Sequence, residues 1–200
     1  MRQQQNNGAE MISAPEARAK GGAKALTGAL CLLAALAGFG LPLLPGLADV
    51  WVFKLWIPLA IADVIFTAAL YIAAYRVSGT WAAVISALCA AAAFATGSIP
   101  NGLLAVVYAL GAGCYALFAA MMRAEDFKVR IAAPLFGKFM VTWLGCVQIL
   151  TPLLYGDSEM GDTVRYMLTA PHVVTCLVGS AVGVGICALL TRKKGEKSAC

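Results

Sequence analysis

The sequence predicts an all-α integral membrane protein, a bundle of about six transmembrane helices with both termini in the cytoplasm. The first observation behind this is composition. The 200-residue chain is 61% hydrophobic and only 12% charged, with a mean hydropathy of +0.81. A soluble domain usually carries about twice that share of charged residues, so the polar side chains are too few to cover a water-soluble globule. Lipid must therefore contact much of the exterior, and we expect a multi-pass protein of the cell membrane.

The second observation is the length of the apolar blocks. A transmembrane helix needs roughly 20 mostly apolar residues, and six blocks approach or exceed that length. The predicted spans are 25–44, 55–75, 80–94, 102–122, 131–154 and 173–190. Barrel strands would alternate polar and apolar residues, which these blocks do not do. The predicted organisation is a disordered cytoplasmic tail (1–23), a six-helix transmembrane domain (24–191) and a basic cytoplasmic tail (192–200).

The third observation is the position of the basic residues, which predicts the orientation. They concentrate before the first span, after the second, between the fourth and fifth, and after the sixth. These residues are Arg2, Arg18, Lys20 and Lys24; Arg76; Arg123, Lys128 and Arg130; and Arg192, Lys193, Lys194 and Lys197. Excess Lys and Arg mark the cytoplasmic side of a membrane protein. With six spans all four segments fall on that side, so the net charge of +5 reflects topology and not nucleic-acid binding.

Signatures of enzymes and metal proteins are missing from the sequence. It contains no G-x-S-x-G, H-E-x-x-H or P-loop motif, so we expect no enzyme, and transport would draw energy from an ion gradient or a partner. His172 is the single histidine, which excludes a site of paired histidines. The seven cysteines form no C-x-x-C pair, so we expect neither a disulfide framework nor a zinc site. No cofactor and no metal are therefore predicted.

Two ionisable residues, Asp63 and Lys138, lie inside predicted spans. At 1.5 Å per residue, Lys138 lies roughly 10 Å from the cytoplasmic start of the fifth span, and Asp63 roughly 14 Å below the outer face. In a core about 30 Å thick these depths are similar, so the two residues could form an intramembrane ion pair. A charge in hydrocarbon costs at least ~2.5 kcal/mol. Asp63 and Lys138 therefore either stabilise the bundle as a structural pair or form a substrate or proton site.

Candidate substrate-binding residues lie toward the predicted outer side. Aromatic rings stack on flat heterocycles, and amide side chains can hydrogen-bond to them. The candidates are Asn101, Tyr108, Trp143, Gln148 and His172. The competing interpretation of such aromatics is the interfacial belt of membrane proteins, and His172, which follows Pro171, is also typical of a helix start.

Small residues recur at helical spacing in two places. Gly21, Ala25 and Ala29 fall on one face at the start of the first span, and Gly179 and Gly183 form a G-x-x-x-G motif in the sixth. Such faces let helix backbones approach closely. Packing within the bundle explains the second pair well, whereas the first could also be a docking face.

Six spans, about two hundred residues and the motif Ala25-x-x-x-Ala29 resemble the substrate-binding (S) subunit of an energy-coupling factor (ECF) transporter. The resemblance implies that Ala25 and Ala29 dock on a transmembrane coupling subunit that works with a pair of ATPases. It also implies capture of a vitamin or similar micronutrient on the outer face, through the outer loops and the last three helices. These parts are the loop 97–102, the fourth and fifth spans, the loop 155–171 and His172.

A different class of function stays open. The chain could act without a partner, as an ion-coupled or facilitative small-solute carrier with Asp63 and Lys138 as its polar centre, or as a membrane structural protein. Inverted repeats would support a carrier, and the sequence shows no convincing repeat.

Overall fold

The computed structural model describes residues 7–40, 51–52, 55–97, 99, 101–147 and 170–196. This part of the chain holds six α-helices, a short 3-10 turn and a two-stranded antiparallel ladder that pairs Trp51 with Trp56. The elements are α1 (Asn7–Gly40), β1 (Trp51–Val52), β2 (Leu55–Trp56), α2 (Ile57–Arg76), α3 (Gly79–Ala95), α4 (Gly102–Met121), the 3-10 turn (Met122–Ala124), α5 (Phe127–Gly145) and α6 (Ala170–Glu196).

Each predicted span overlaps one of these helices, which supports an all-α membrane protein; residues 41–44 and 148–154 of the predicted spans lie outside the described residues. By length and composition, three described segments are able to cross a membrane: Gly21–Gly38, Gly102–Ala124 and Ala170–Thr191. The number of six crossings and the orientation stay predictions. Helix α1 begins at Asn7, within the segment predicted as a disordered tail, and the proposed domain limits also stay predictions.

Polar side chains cap the starts of α3 and α4, and a glycine follows the end of α3. The backbone N–H of Trp81 donates to Ser78 Oγ at 3.1 Å, which caps the start of α3. At the start of α4, the Leu103 N–H donates to Asn101 Oδ1 at 2.8 Å. Gly97, after α3, has φ +75°, a left-handed conformation that glycine adopts without steric cost.

Small residues form the contacts between the helices of the bundle. Helix α2 packs against α1, α3 and α6, while α4 lies between α3 and α5. Alanine and glycine dominate the contact faces; examples are Ala62, Ala73, Ala82, Ala112 and Ala116, each fully buried. Large apolar side chains are instead exposed on all six helices, for example Leu26, Ile61, Trp81, Leu110, Phe136 and Leu177. This arrangement suits a lipid exterior, where close backbone packing holds helices together.

Helices α2 and α6 approach each other closely at the G-x-x-x-G motif. A Cβ at Gly179 would lie 2.7 Å from the Val64 carbonyl oxygen, and one at Gly183 would lie 2.9 Å from Tyr71 Cβ. Both glycines thus serve packing within the bundle. Ala25 and Ala29 on α1, by contrast, are exposed.

Arginines join the α4–α5 connection to the end of α2. Arg130 Nε donates to the Tyr71 hydroxyl at 3.1 Å, and its guanidinium carbon lies 5.0 Å from the ring centroid of Tyr75. Arg123 donates to the Ala74 carbonyl. The end of α2 and the α4–α5 connection, both predicted to be cytoplasmic, therefore lie at the same end of the bundle.

Candidate functional site

Helices α2, α5 and α6 enclose a buried group of polar side chains, which we call the polar cluster: Asp63, Lys138, His172, Thr175 and Cys176. Their relative exposures are 2%, 2%, 1%, 6% and 0%. Asp63 comes from α2, Lys138 from α5 and the other three from the first turns of α6. The helices bring these side chains together because small residues let α2 and α6 approach closely.

An aspartate–histidine contact forms one half of the polar cluster. His172 Nδ1 lies 2.8 Å from Asp63 Oδ2. Because an ionised carboxylate only accepts hydrogen bonds, Nδ1 carries the proton that is shared in this contact. The Thr175 hydroxyl donates to the His172 carbonyl oxygen at 2.9 Å and lies 3.5 Å from the same Asp63 oxygen.

A lysine–cysteine contact forms the other half. Lys138 Nζ donates to Cys176 Sγ at 2.9 Å. The same sulfur lies 3.8 Å from both ring nitrogens of His172 and 3.8 Å from the Thr67 hydroxyl. The two halves therefore meet between His172 and Cys176, which lie one turn apart on α6.

Aromatic rings surround the polar cluster. Phe66 and Tyr108 stack on each other with centroids 5.6 Å apart, and Lys138 Nζ lies 6.0 Å and 5.6 Å from their respective centroids. The ring of Phe139 meets that of His172 edge-on at 5.7 Å. The ring faces give the ammonium a partly compensating cation–π environment, and the rings lower the local dielectric, which strengthens every interaction between charges.

Asp63 and Lys138 thus belong to one cluster. Asp63 contacts His172, Lys138 contacts Cys176, and His172 and Cys176 lie beside each other. The formal charges of one carboxylate and one ammonium cancel when the imidazole is neutral and the thiol is protonated. Such balance matters because an unpaired charge in a membrane interior is costly.

The other candidates from the sequence are placed differently. Tyr108 is buried beside Lys138, but Asn101 serves as the cap of α4. The Trp143 side chain is 50% exposed on the surface of α5, as expected of a lipid-facing ring. Gln148 lies outside the described residues, as does most of the loop 155–171.

The sequence did not single out Cys176, Thr175 or Thr67, because the cysteines form no local C-x-x-C motif and a lone threonine in an apolar block carries no signal of its own. A signal for Cys176 was present. His172 and Cys176 are four residues apart, so on a helix they share one face, and the single histidine of the chain marks that face as polar. The expectation that no metal site exists rested on missing local motifs, and it did not consider ligands from different helices.

The polar cluster contains three atoms of the kind that ligate metals: Asp63 Oδ2, a His172 ring nitrogen and Cys176 Sγ, all within 4.8 Å of one another. It also contains an imidazole in contact with a carboxylate. The arrangement is therefore able to bind a cation or a small polar solute, or to pass a proton. Comparison with protein-family models, with curated proteins and with solved structures finds no match for this chain.

Proposed function

We propose that this protein captures a small polar solute inside the membrane and takes part in its uptake, with the polar cluster as the binding centre. The observation that carries the proposal is the burial of four ionisable side chains, Asp63, Lys138, His172 and Cys176, between three apolar helices. Ionisable groups at such depth are expensive and in membrane proteins commonly mark substrate or ion pathways. Aromatic rings next to the cluster supply stacking surfaces for a solute.

In the form that we favour, the protein is the substrate-binding subunit of an ECF-type transporter for a vitamin or similar micronutrient. A transmembrane coupling subunit and a pair of ATPases would supply the energy. Two features support this form. The sequence contains no nucleotide-binding motif, and Ala25 and Ala29 lie on an exposed face of α1 where another helix could approach.

A tryptophan at Ala25 or at Ala29 is expected to abolish uptake, because its bulk would hold a partner helix away from α1. Ala34→Trp is the matched control, since Ala34 is also exposed on α1 but lies on a different side of the helix. Uptake by cells that express the full transporter, and solute binding by the purified protein, are the two measurements. Binding should survive in all three variants. Loss of binding together with uptake in Ala25→Trp would contradict a docking role.

The contact between Asp63 and His172 favours a second candidate, a stand-alone carrier coupled to protons or other ions. Chains of acidic and histidine side chains serve as proton relays in pumps and transporters, and here the two groups touch at 2.8 Å. Reconstitution into vesicles without any partner separates the candidates. Accumulation driven by an imposed proton gradient alone would favour the carrier, and accumulation that requires the coupling subunit and ATP would favour the ECF form.

Either candidate requires the predicted orientation, which site-directed labelling tests in a Cys200→Ser background. A thiol at Ala124, exposed at the α4–α5 connection, should react with a membrane-impermeant maleimide only from the cytoplasmic side. A thiol at Thr96, which is exposed at the C-terminal end of α3 and so at the end of the bundle opposite Ala124, should react only from outside. The parent protein, whose described cysteines are buried or half-buried, measures the background. Reaction of the Ala124 thiol from outside would exclude the proposed topology.

The binding proposal itself is tested by identifying small molecules that co-purify with the protein. Mass spectrometry of the wild type and of the double variant Asp63→Asn/Lys138→Met should reveal a compound that is enriched only in the wild type. The double variant is the appropriate comparison because it removes both charges together. Equal amounts of every co-purifying compound in the two proteins would exclude the polar cluster as the binding centre.

A further inference from the structure

We propose that Asp63, His172 and Cys176 form a binding site for a divalent transition-metal ion, and that the ammonium of Lys138 is a built-in cation that competes for it. The site goes beyond the capture of an organic solute proposed above and does not depend on it. It rests on the donor atoms that α2 and α6 bring together, on their burial, and on the position of Lys138 Nζ.

The spacing of the donor atoms suits a metal. Bonds of 2.0–2.3 Å at tetrahedral angles place ligand atoms roughly 3.3–3.6 Å apart. Asp63 Oδ2 and His172 Nδ1 are 2.8 Å apart, and Cys176 Sγ is 3.8 Å from either ring nitrogen of His172. All three donors lie within 4.8 Å of one another. The three donor atoms therefore need to move by only about 1 Å to reach tetrahedral spacing. Side-chain rotations can supply this movement, and no helix has to shift.

The donor set predicts the class of metal. A thiolate and an imidazole favour Zn²⁺, Co²⁺, Ni²⁺ or copper, whereas Mg²⁺ and Ca²⁺ prefer oxygen ligands throughout. The described residues supply three protein ligands, and a tetrahedral ion takes one further ligand. Coordination through Nδ1 requires the proton that His172 shares with Asp63 to move to Nε2. Coordination also converts the Cys176 thiol to a thiolate, so one proton per bound ion is released to the buffer.

The ammonium of Lys138 offsets the negative charge of these buried donor groups. Its Nζ donates to Cys176 Sγ at 2.9 Å, so the ammonium occupies a position near the sulfur that a bound metal ion would need. An ammonium and a metal ion in the same place would repel strongly in this low-dielectric setting. Metal binding therefore requires Lys138 to withdraw toward the rings of Phe66 and Tyr108, which already lie 6.0 Å and 5.6 Å from its Nζ.

The backbone positions strengthen the assignment. His172 and Cys176 lie four residues apart on α6, so both side chains project from one face of a rigid helix. Asp63 faces them from α2, and α2 and α6 are in close backbone contact at Gly179 and Gly183. Ligands held by packed helices lose little conformational freedom when they bind an ion.

Titration of the purified full-length protein with Co²⁺ in detergent tests the inference. A thiolate-to-cobalt charge-transfer absorption should appear in the wild type and be absent in Cys176→Ser. Cys187→Ser, which removes another fully buried cysteine of the same helix, should keep the absorption. Lys138→Met should bind Co²⁺ about tenfold more tightly or better, because the competing cation is gone.

Thermal unfolding supplies an independent readout in case Lys138→Met does not fold. Co²⁺ or Zn²⁺ should raise the unfolding temperature of the wild type and of Cys187→Ser, but not that of Cys176→Ser, since a ligand stabilises only the state that binds it. An absorption that persists in Cys176→Ser, or a wild type whose spectrum and stability ignore the metals, would overturn the site. Either result would leave the proposed capture of a solute standing, because that proposal is tested by co-purification and uptake.

Discussion

Asp63→Asn is expected to be among the most destabilising single changes in the chain, and adding Lys138→Met should recover much of the loss. The Asp63 carboxylate is 2% exposed and supplies the negative charge of the polar cluster. Its removal leaves the equally buried ammonium of Lys138 without a compensating charge, at a cost of roughly 3–5 kcal/mol for a buried pair broken on one side. Removing the ammonium as well restores the balance, so the two effects should be strongly non-additive.

The free energy of unfolding in detergent, measured for both single variants and the double variant, decides this prediction. Ser86→Ala is a suitable control, because Ser86 is also buried and its hydroxyl donates to the backbone carbonyls of Ala83 and Ala109 and not to a charged group of the polar cluster. It should cost about 1 kcal/mol. A stable Asp63→Asn protein that has lost all uptake, with no rescue by Lys138→Met, would instead identify Asp63 as the coupling group of an ion-driven carrier.

Gly179→Ala and Gly183→Ala are expected to destabilise the protein by about 1–3 kcal/mol each, the usual cost of overpacking. At Gly179 the new methyl group would lie 2.7 Å from a backbone oxygen of α2, and at Gly183 its nearest neighbours include the Ala68 carbonyl oxygen at 3.1 Å. Backbone atoms cannot rotate away as side chains can, so α6 would have to shift. A shift near Gly179 also displaces Cys176, three residues earlier, so metal or solute binding should weaken in that variant.

Gly185→Ala is the matched control on the same helix. A Cβ at Gly185 meets nothing within 4 Å, and alanine is a better helix former than glycine by about 1 kcal/mol. This variant should be neutral or slightly more stable than the wild type. Thermal unfolding of the three variants in one detergent gives the comparison. Equal effects at Gly179 and Gly185 would show that the close contact between α2 and α6 does not limit stability.

The sequence alone indicated an all-α membrane protein and identified an apolar block that overlaps each of the six described helices. Apolar blocks separated by glycine, proline and charged residues carry local information, since each block must satisfy its own backbone hydrogen bonds in lipid. The predicted span 102–122 matches α4 at its first residue, and 80–94 lies within α3. Ends were less certain where no cap marks them: α5 begins at Phe127, ahead of the predicted residue 131.

The sequence also identified Asp63, Lys138 and His172 as unusual, because each is a polar group in or next to an apolar block. What it could not supply was their partners. Depth in the membrane suggested a direct pair between Asp63 and Lys138, but depth says nothing about the direction in which a side chain points around its helix. The structure places His172 against Asp63 and Cys176 against Lys138, and a direct pair between Asp63 and Lys138 stays a prediction.

Only the tertiary structure decided that Cys176 belongs to this cluster and that Asn101 and Trp143 do not. A cysteine in an apolar helix is a small apolar residue until a histidine, a lysine and a carboxylate are brought beside it. That proximity depends on the angle and depth at which α2, α5 and α6 pack. Those are set by many weak contacts between small residues such as Gly179 and Gly183, whose combined effect is a property of the assembled bundle and not of any one segment.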